Sequence, residues 1–243
     1  MLHPSFKKGS ILKQNMLEVL RDYPYKFFEL EYISYGDGII IGFEIEITNT
    51  NIIQITPGIL KQEGDIYIST NVLQINQFLE NHYVYLVVEK NETPDGMNCI
   101  VKVEQYEEPQ ENKIELFRYT KNAELHKFKD ISEVFSNPIN RINQIYAKRS
   151  IEGGTTLCNY YFKLFANQVL KCQNVKMEDI AFAYQCLNGI QNTAILFQYF
   201  GDDISNQVVV EIMKKKIESF GKELSVLDKE PEKKERPKQL IVS

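Results

Sequence analysis

The sequence predicts an α+β chain, with an N-terminal antiparallel β-sandwich or barrel followed by a C-terminal α-helical bundle. Two changes of period carry that expectation. From Ile39 to about residue 120, β-branched residues recur with a period near two in short runs separated by turn signals. After about Asp130, apolar residues recur every three or four positions instead. A third feature closes the chain: KEPEKKERPKQLIVS alternates charge, carries two prolines and has no apolar period. The expected organisation is a β-rich domain over 1–125, a helical bundle over 130–227 and a disordered charged tail over 228–243.

Ser10 is placed to cap a short helix over about 11–22, with Leu12, Met16, Val19 and Leu20 on one side. Pro24 is expected to end it, because proline disfavours helical geometry in the residue before it. Ile39, Ile41, Phe43, Ile45 and Ile47 then alternate with Ile40, Gly42, Glu44 and Glu46, the pattern of a strand buried on one face. Thr48–Asn51 reads as a turn into Ile52–Thr56. Pro57-Gly58 and Glu63–Asp65 punctuate the chain before Ile66–Ile68. Gly36, Gly38, Gly58 and Gly64 read as bends, whereas Gly42, inside a strand, marks a bulge or a close backbone approach. Further strands are expected at Tyr83–Lys90, Cys99–Gln105 and Ile114–Thr120, separated by NETPDG and EEPQEN.

Asn137-Pro138 is placed to open a helix carrying Ile139, Ile142, Ile145 and Tyr146. Gly153-Gly154 interrupts it, and Thr155 or Thr156 is positioned to cap the next. A third helix is expected from Met177 to Tyr199, closed by Gly201. A fourth begins near Ser205, with Val209, Met213, Ile217, Phe220, Leu224 and Leu227 spaced 4, 4, 3, 4 and 3. Its stripe and that of the second helix nominate Leu157, Tyr161, Leu164, Val209, Met213, Ile217, Phe220 and Leu224 as an oligomer interface.

Composition narrows the function. The 243 residues carry a net charge of −5, which argues against a general nucleic-acid binder. The N-terminus lacks the apolar core of a signal peptide, and no run approaches a membrane span, so a cytoplasmic protein with no membrane partner is expected. Cys99, Cys158, Cys172 and Cys186 form no CxxC pair and lie far from His3, His82 and His126. That spacing predicts reduced, mostly buried thiols and no metal site.

Catalytic patterns are equally sparse. Glu44 and Glu46 share a strand face about 7 Å apart, which any wet strand produces. IEGGTT resembles a phosphate loop but lacks its lysine, so helix punctuation explains it. Lys214, Lys215 and Lys216 fan around their helix and read as solvated. His82 and His126 read as surface or loop residues. No catalytic residue, cofactor or metal is predicted.

The ordered motifs YGDGIIIGFEIEI, IIQITPGILKQEGDIYIST, YVYLVVEK and KIELFRY resemble those of phage tail and baseplate proteins. The same order is similar to the shoulder of the type VI secretion baseplate subunit, which a helical neck follows. The resemblance covers about residues 10–120 by motif. It departs in having no head domain and in a chain about half the length of that subunit. It implies a non-enzymatic structural role in a contractile injection or tail assembly, as a homo-oligomer, possibly a trimer, with other assembly proteins as partners. The competing reading is a module binding a protein or glycan, with exposed Tyr35, Tyr67 and Tyr106 as its signature and the helices as its oligomerisation unit.

Overall fold

The computed structural model describes residues 11, 13–48, 52–76, 82–93, 96–119, 131–136, 142–172 and 175–227. Ser10, Leu12, His3, His126, Pro138, Ile139 and the charged tail lie outside them.

The first helix, α1 (Gln14–Glu31), does not stop at Pro24 but runs through it. Proline forfeits one amide bond and crowds the carbonyl four residues back. Local ring contacts after the proline and long-range contacts from the β half offset that loss. Phe28 stacks on Tyr32 with ring centroids 6.4 Å apart, and Tyr32 meets Tyr35 edge-on at 5.0 Å. Lys61, itself buried, donates from Nζ to the carbonyls of Tyr32 (2.8 Å), Ile33 (3.2 Å) and Tyr35 (2.8 Å). A cation thus caps the Tyr32 carbonyl at the helix end, where the macrodipole favours positive charge, together with two carbonyls of the turn beyond it.

The expected strand 39–47 is two strands in different sheets, β1 (Gly38–Gly42) and β2 (Ile45–Ile47). Their partners also switch sheets, since β3 (Ile53–Ile55) pairs with β2 and β4 (Gly58–Gln62) pairs with β1. One long hairpin is therefore folded at a corner made by Gly42-Phe43 and Thr56-Pro57. Gly42 has φ +72°, and a Cβ there would fall 2.0 Å from the Pro57 carbonyl oxygen. The close-approach reading of Gly42 holds. A register shift between Ile39 and Ile41 turns Ile41 outward at 61% exposure, against the expected alternation, while Ile39, Phe43 and Ile45 are buried.

Strands β5 (Asp65–Ser69), β6 (Leu73–Ile75), β7 (His82–Thr93), β8 (Gly96–Tyr106) and β9 (Ile114–Tyr119) follow. A short helix, α2 (Ile131–Ser136), comes next and was not anticipated. Then β10 (Arg149–Ile151) and β11 (Gly154–Thr156) return the chain to the first sheet. The sheets are ordered β11-β10-β1-β4-β5, β2-β3-β6 and β8-β7-β9. The result is a mixed α/β arrangement whose sheets are mainly antiparallel. No barrel closes among the described residues, and β1 pairs with β10 in parallel, which the sequence reading did not foresee.

Residues 149–156 thus interrupt the stretch expected to be helical over 130–227. Ile142–Lys148 is not helical either, and Ile142 is buried with the strand residues. Gly153-Gly154 turns a hairpin instead of separating helices, so Thr155 and Thr156 are strand residues. The next helix, α3 (Asn159–Val169), has Cys158 at its N-cap position, with no side-chain capping bond. The expected third helix divides at Gly189 into α4 (Met177–Asn188) and α5 (Thr193–Phe200). Asn192 forms the intervening N-cap, its side chain accepting from the Ala194 amide at 2.7 Å. The last helix, α6 (Asn206–Leu227), starts where expected.

Two apolar cores result. One gathers Ile39, Phe43, Ile53, Val84 and Phe117 from all three sheets, and the other gathers Phe162, Phe165, Phe182, Leu196 and Met213 from the helices. The β10–β11 hairpin joins them. Gly36 donates to the Gly154 carbonyl at 3.0 Å, Ile39 to Lys148 at 2.9 Å, and Gly153 to Ser34 at 2.9 Å. On the other side Glu152 donates to Gln191 and accepts from Thr193, both at 3.1 Å. Buried Arg149 donates to the Gly42 carbonyl at 2.9 Å and to Glu44 Oε1 at 2.5 Å.

Candidate functional site

The residues nominated as an oligomer interface lie elsewhere than a surface. Leu157, Tyr161, Leu164, Val209, Met213 and Phe220 are buried in the helical core, and Ile217 packs against it. Leu224 belongs to the part of α6 whose side chains are not described. Among the described side chains, the apolar stripes of α3 and of α6 as far as Phe220 pack within this chain, because the intervening helices fold back onto them.

Other expectations sort similarly. Glu44 is the counter-ion of Arg149, not half of an acid pair with Glu46. His82 is buried at the start of β7, 4.0 Å from Glu107, not a surface residue. Cys158 and Cys186 are buried, Cys172 is half-buried and Cys99 is exposed, all as free thiols. Tyr67 is buried, and Tyr35 and Tyr106 are half-buried, so none forms an exposed binding platform. Among the described residues, no group of three His, Cys, Asp or Glu is placed to share a metal ion. No described helix is long and apolar enough to cross a membrane.

Two places remain. The first is a buried polar cluster in the helical core, beside a cavity of about 340 Å³ lined by Phe182, Gln185, Gln198, Tyr199 and Lys216. Asp179 Oδ1 accepts from Lys216 Nζ at 2.8 Å and from the Tyr199 hydroxyl. Tyr199 stacks on Phe182 at 3.7 Å, and Lys216 lies 4.3 Å from the Tyr199 ring centroid. Lys216, expected to be solvated, thus joins α6 to α4 and α5. Asp179 is neutralised and the Tyr199 proton is committed to it, so the cluster is a cross-brace between three helices.

Two outcomes follow from this core. Replacing Lys216 with methionine leaves a buried carboxylate without its cation and is expected to cost about 3 kcal/mol. The estimate sits at the lower end because the lysine is partly exposed. A urea-midpoint titration of the variant checks it, and an unchanged midpoint contradicts the cross-brace. Burial pushes the Tyr161 and Tyr199 phenols and the Cys186 thiol far above their ordinary values, and Asp179 adds to the shift of Tyr199. In the unfolded chain thiols ionise near pH 8.5 and phenols near pH 10. Above those values the unfolded state binds fewer protons than the folded one, so stability falls as pH rises. Urea unfolding between pH 8 and 11 should show the decline; a level midpoint contradicts it.

The second place is α1. None of its residues is buried, although Leu17, Leu20, Tyr23, Tyr25, Phe27 and Leu30 are large and apolar. The helix touches β5, and a groove of about 450 Å³ runs between them, lined by Tyr25, Phe28, Ile68, Met97 and Cys99. Phe28 and Tyr32 face this groove side. Leu20, Tyr23, Phe27 and Leu30 project from the opposite side at 46%, 48%, 55% and 70% exposure. Four large apolar side chains thus stand uncovered on one side of this helix. The sequence reading missed this face because it ended the helix at Pro24; the recurring Phe27 and Leu30 beyond the proline were the available signal.

Fold and surface together define a mixed α/β chain of two cores that displays an anchored apolar helix. No protein-family model matches the chain, and no curated protein matches it. Among solved structures, the crystal structure of TssK is similar at 8% sequence identity and a TM-score of 0.33. The match covers 91% of this chain and 56% of TssK. This chain therefore spans little more than half the length of that protein, and a likeness at this level carries no functional argument.

Proposed function

We propose that this chain is a non-enzymatic assembly protein that docks through α1. The carrying observation is that Leu20, Tyr23, Phe27 and Leu30 face outward while Lys61 fixes the end of the same helix to the β core. Holding an apolar face in one orientation reduces the conformational entropy lost on docking. The strand motifs that resemble phage-tail and contractile-injection baseplate proteins support a place in such an assembly. Its partners are then copies of itself and other assembly proteins, in the cytoplasm.

The test is co-purification from the native cell with the wild-type chain and a Leu20→Glu, Phe27→Glu variant. Both positions are exposed, so the fold should persist, with stability within about 1 kcal/mol. Loss of the co-purifying assembly components supports the proposal. Their undiminished recovery with the variant overturns it.

A further inference from the structure

We infer that α1 is a parallel self-association seam, in which Lys26 of one copy pairs with Glu31 of the next. This rests on the proposal that α1 is the docking surface, and specifies what covers it.

Met16, Leu20, Tyr23, Phe27 and Leu30 are spaced 4, 3, 4 and 3. That is the a/d repeat of a coiled coil, with Leu20 and Phe27 at a and Met16, Tyr23 and Leu30 at d. At about 100° per residue the five side chains fall within about 80° of one another, on the side away from Phe28 and Tyr32. The seam therefore faces solvent while the opposite side meets the β half. Pro24 occupies an e position, flanking the seam and not filling it.

The charges at the flanks select the partner and its direction. Lys26 falls at g and Glu31 at e, both exposed. In a parallel pair a g residue meets the e residue five positions on in its neighbour, so Lys26 faces Glu31 and the match repeats on the second side. An antiparallel pair sets g against g and e against e, so it cannot bring Lys26 to Glu31, and the register centred on Lys26 opposes Lys26 to Lys26. Like-charge contacts disfavour that arrangement. Lys26 has two acidic neighbours a turn away on its own helix: Asp22, which Arg21 already holds at 2.6 Å, and Glu29, exposed three residues on. A surface that is complementary to itself in one orientation fits a second copy of this chain.

The experiment uses the full chain with Cys99→Ser, which removes the exposed thiol. Light scattering at tens of micromolar should give a multiple of the chain mass. With diamide as oxidant, Leu20→Cys and, separately, Phe27→Cys should each form a disulfide between copies, because a parallel seam brings equivalent a positions together along its length whereas an antiparallel one does so only at its two-fold. Glu18→Cys, on the opposite side of the helix, should not. Lys26→Glu and Glu31→Lys should each weaken association about tenfold, and the two together should restore it. Restoration by the double variant distinguishes a paired seam from a helix that has lost its fold, which circular dichroism checks separately.

A monomeric wild type without cross-linking overturns the inference, and so does a cross-linked oligomer in which the double charge swap restores nothing. A monomer that instead binds vesicles of anionic lipid through α1 overturns it as well, assigning the face to a membrane surface. The loss of other assembly components from the Leu20→Glu, Phe27→Glu variant is read independently. The docking proposal can therefore stand where the self-association inference fails.

Discussion

Alanine at Gly42 is expected to destabilise the protein by about 4 kcal/mol, at the upper end of single-substitution effects. Two costs combine there. The residue has φ +72°, a region that L side chains rarely adopt, and the new Cβ would lie 2.0 Å from the Pro57 carbonyl oxygen. The neighbouring backbone cannot easily yield. Phe43 donates to that same carbonyl at 3.4 Å, and Thr56 donates to the Glu44 carbonyl at 3.0 Å. Gly58 opposes Gly42 in the ladder and is itself crowded by the Phe43 ring at 2.5 Å from its own ideal Cβ. Relief would mean opening the corner, which exposes Phe43 and uncouples the first sheet from the second. Urea unfolding followed by far-UV circular dichroism measures the loss. A midpoint within experimental error of wild type would show that the corner bends freely.

Methionine at Lys61 is expected to cost about 3 kcal/mol and to release α1 before the rest of the chain. The ammonium satisfies three carbonyls at the end of α1 and in the turn beyond it, and hydrogen bonds from a charged donor contribute about 1.5–3 kcal/mol each in isolation. The total is smaller than their sum because the helix end can detach and regain water. Arginine should not rescue the variant, since its planar fork cannot direct donors to three carbonyls around one point. Amide hydrogen exchange is the discriminating measurement. Protection should fall along α1 while that of β7 and α3 is retained until global unfolding. Uniform loss of protection, or none, would remove Lys61 as the anchor of the docking helix.

These two residues show where the sequence was legible. Gly42 stood out as a glycine inside a strand run, which narrowed it to a bulge or a close backbone approach, and the structure decides for the approach. The corner it builds was not, because period-two alternation is the same whether a strand continues or crosses into a second sheet. Lys61 looked like any strand lysine. Its burial follows from the end of α1 lying over β4, and no local pattern encodes that contact.

The helical residues make the same point from the other direction. Their spacing located α6 and the composition change near Asp130 without reference to any contact. Spacing could not say whether Val209, Met213 and Phe220 meet another chain or this one. The described part of the α6 stripe, Val209 to Phe220, is filled by α3 and its neighbours, whereas the stripe of α1 is left outside. An apolar period records that a face requires a partner and nothing about where the partner comes from.

By itself, then, the sequence determined the mixed strand and helix content, several of the turns and the apolar faces of α3 and α6, since these depend on local periodicity and backbone preference. Only the tertiary structure decided that α1 continues through Pro24, that residues 149–156 return to the first sheet beside β1, and which apolar face remains uncovered. Each of those outcomes is set by contacts between segments far apart in the chain, whose free energies outweigh local preferences that point the other way.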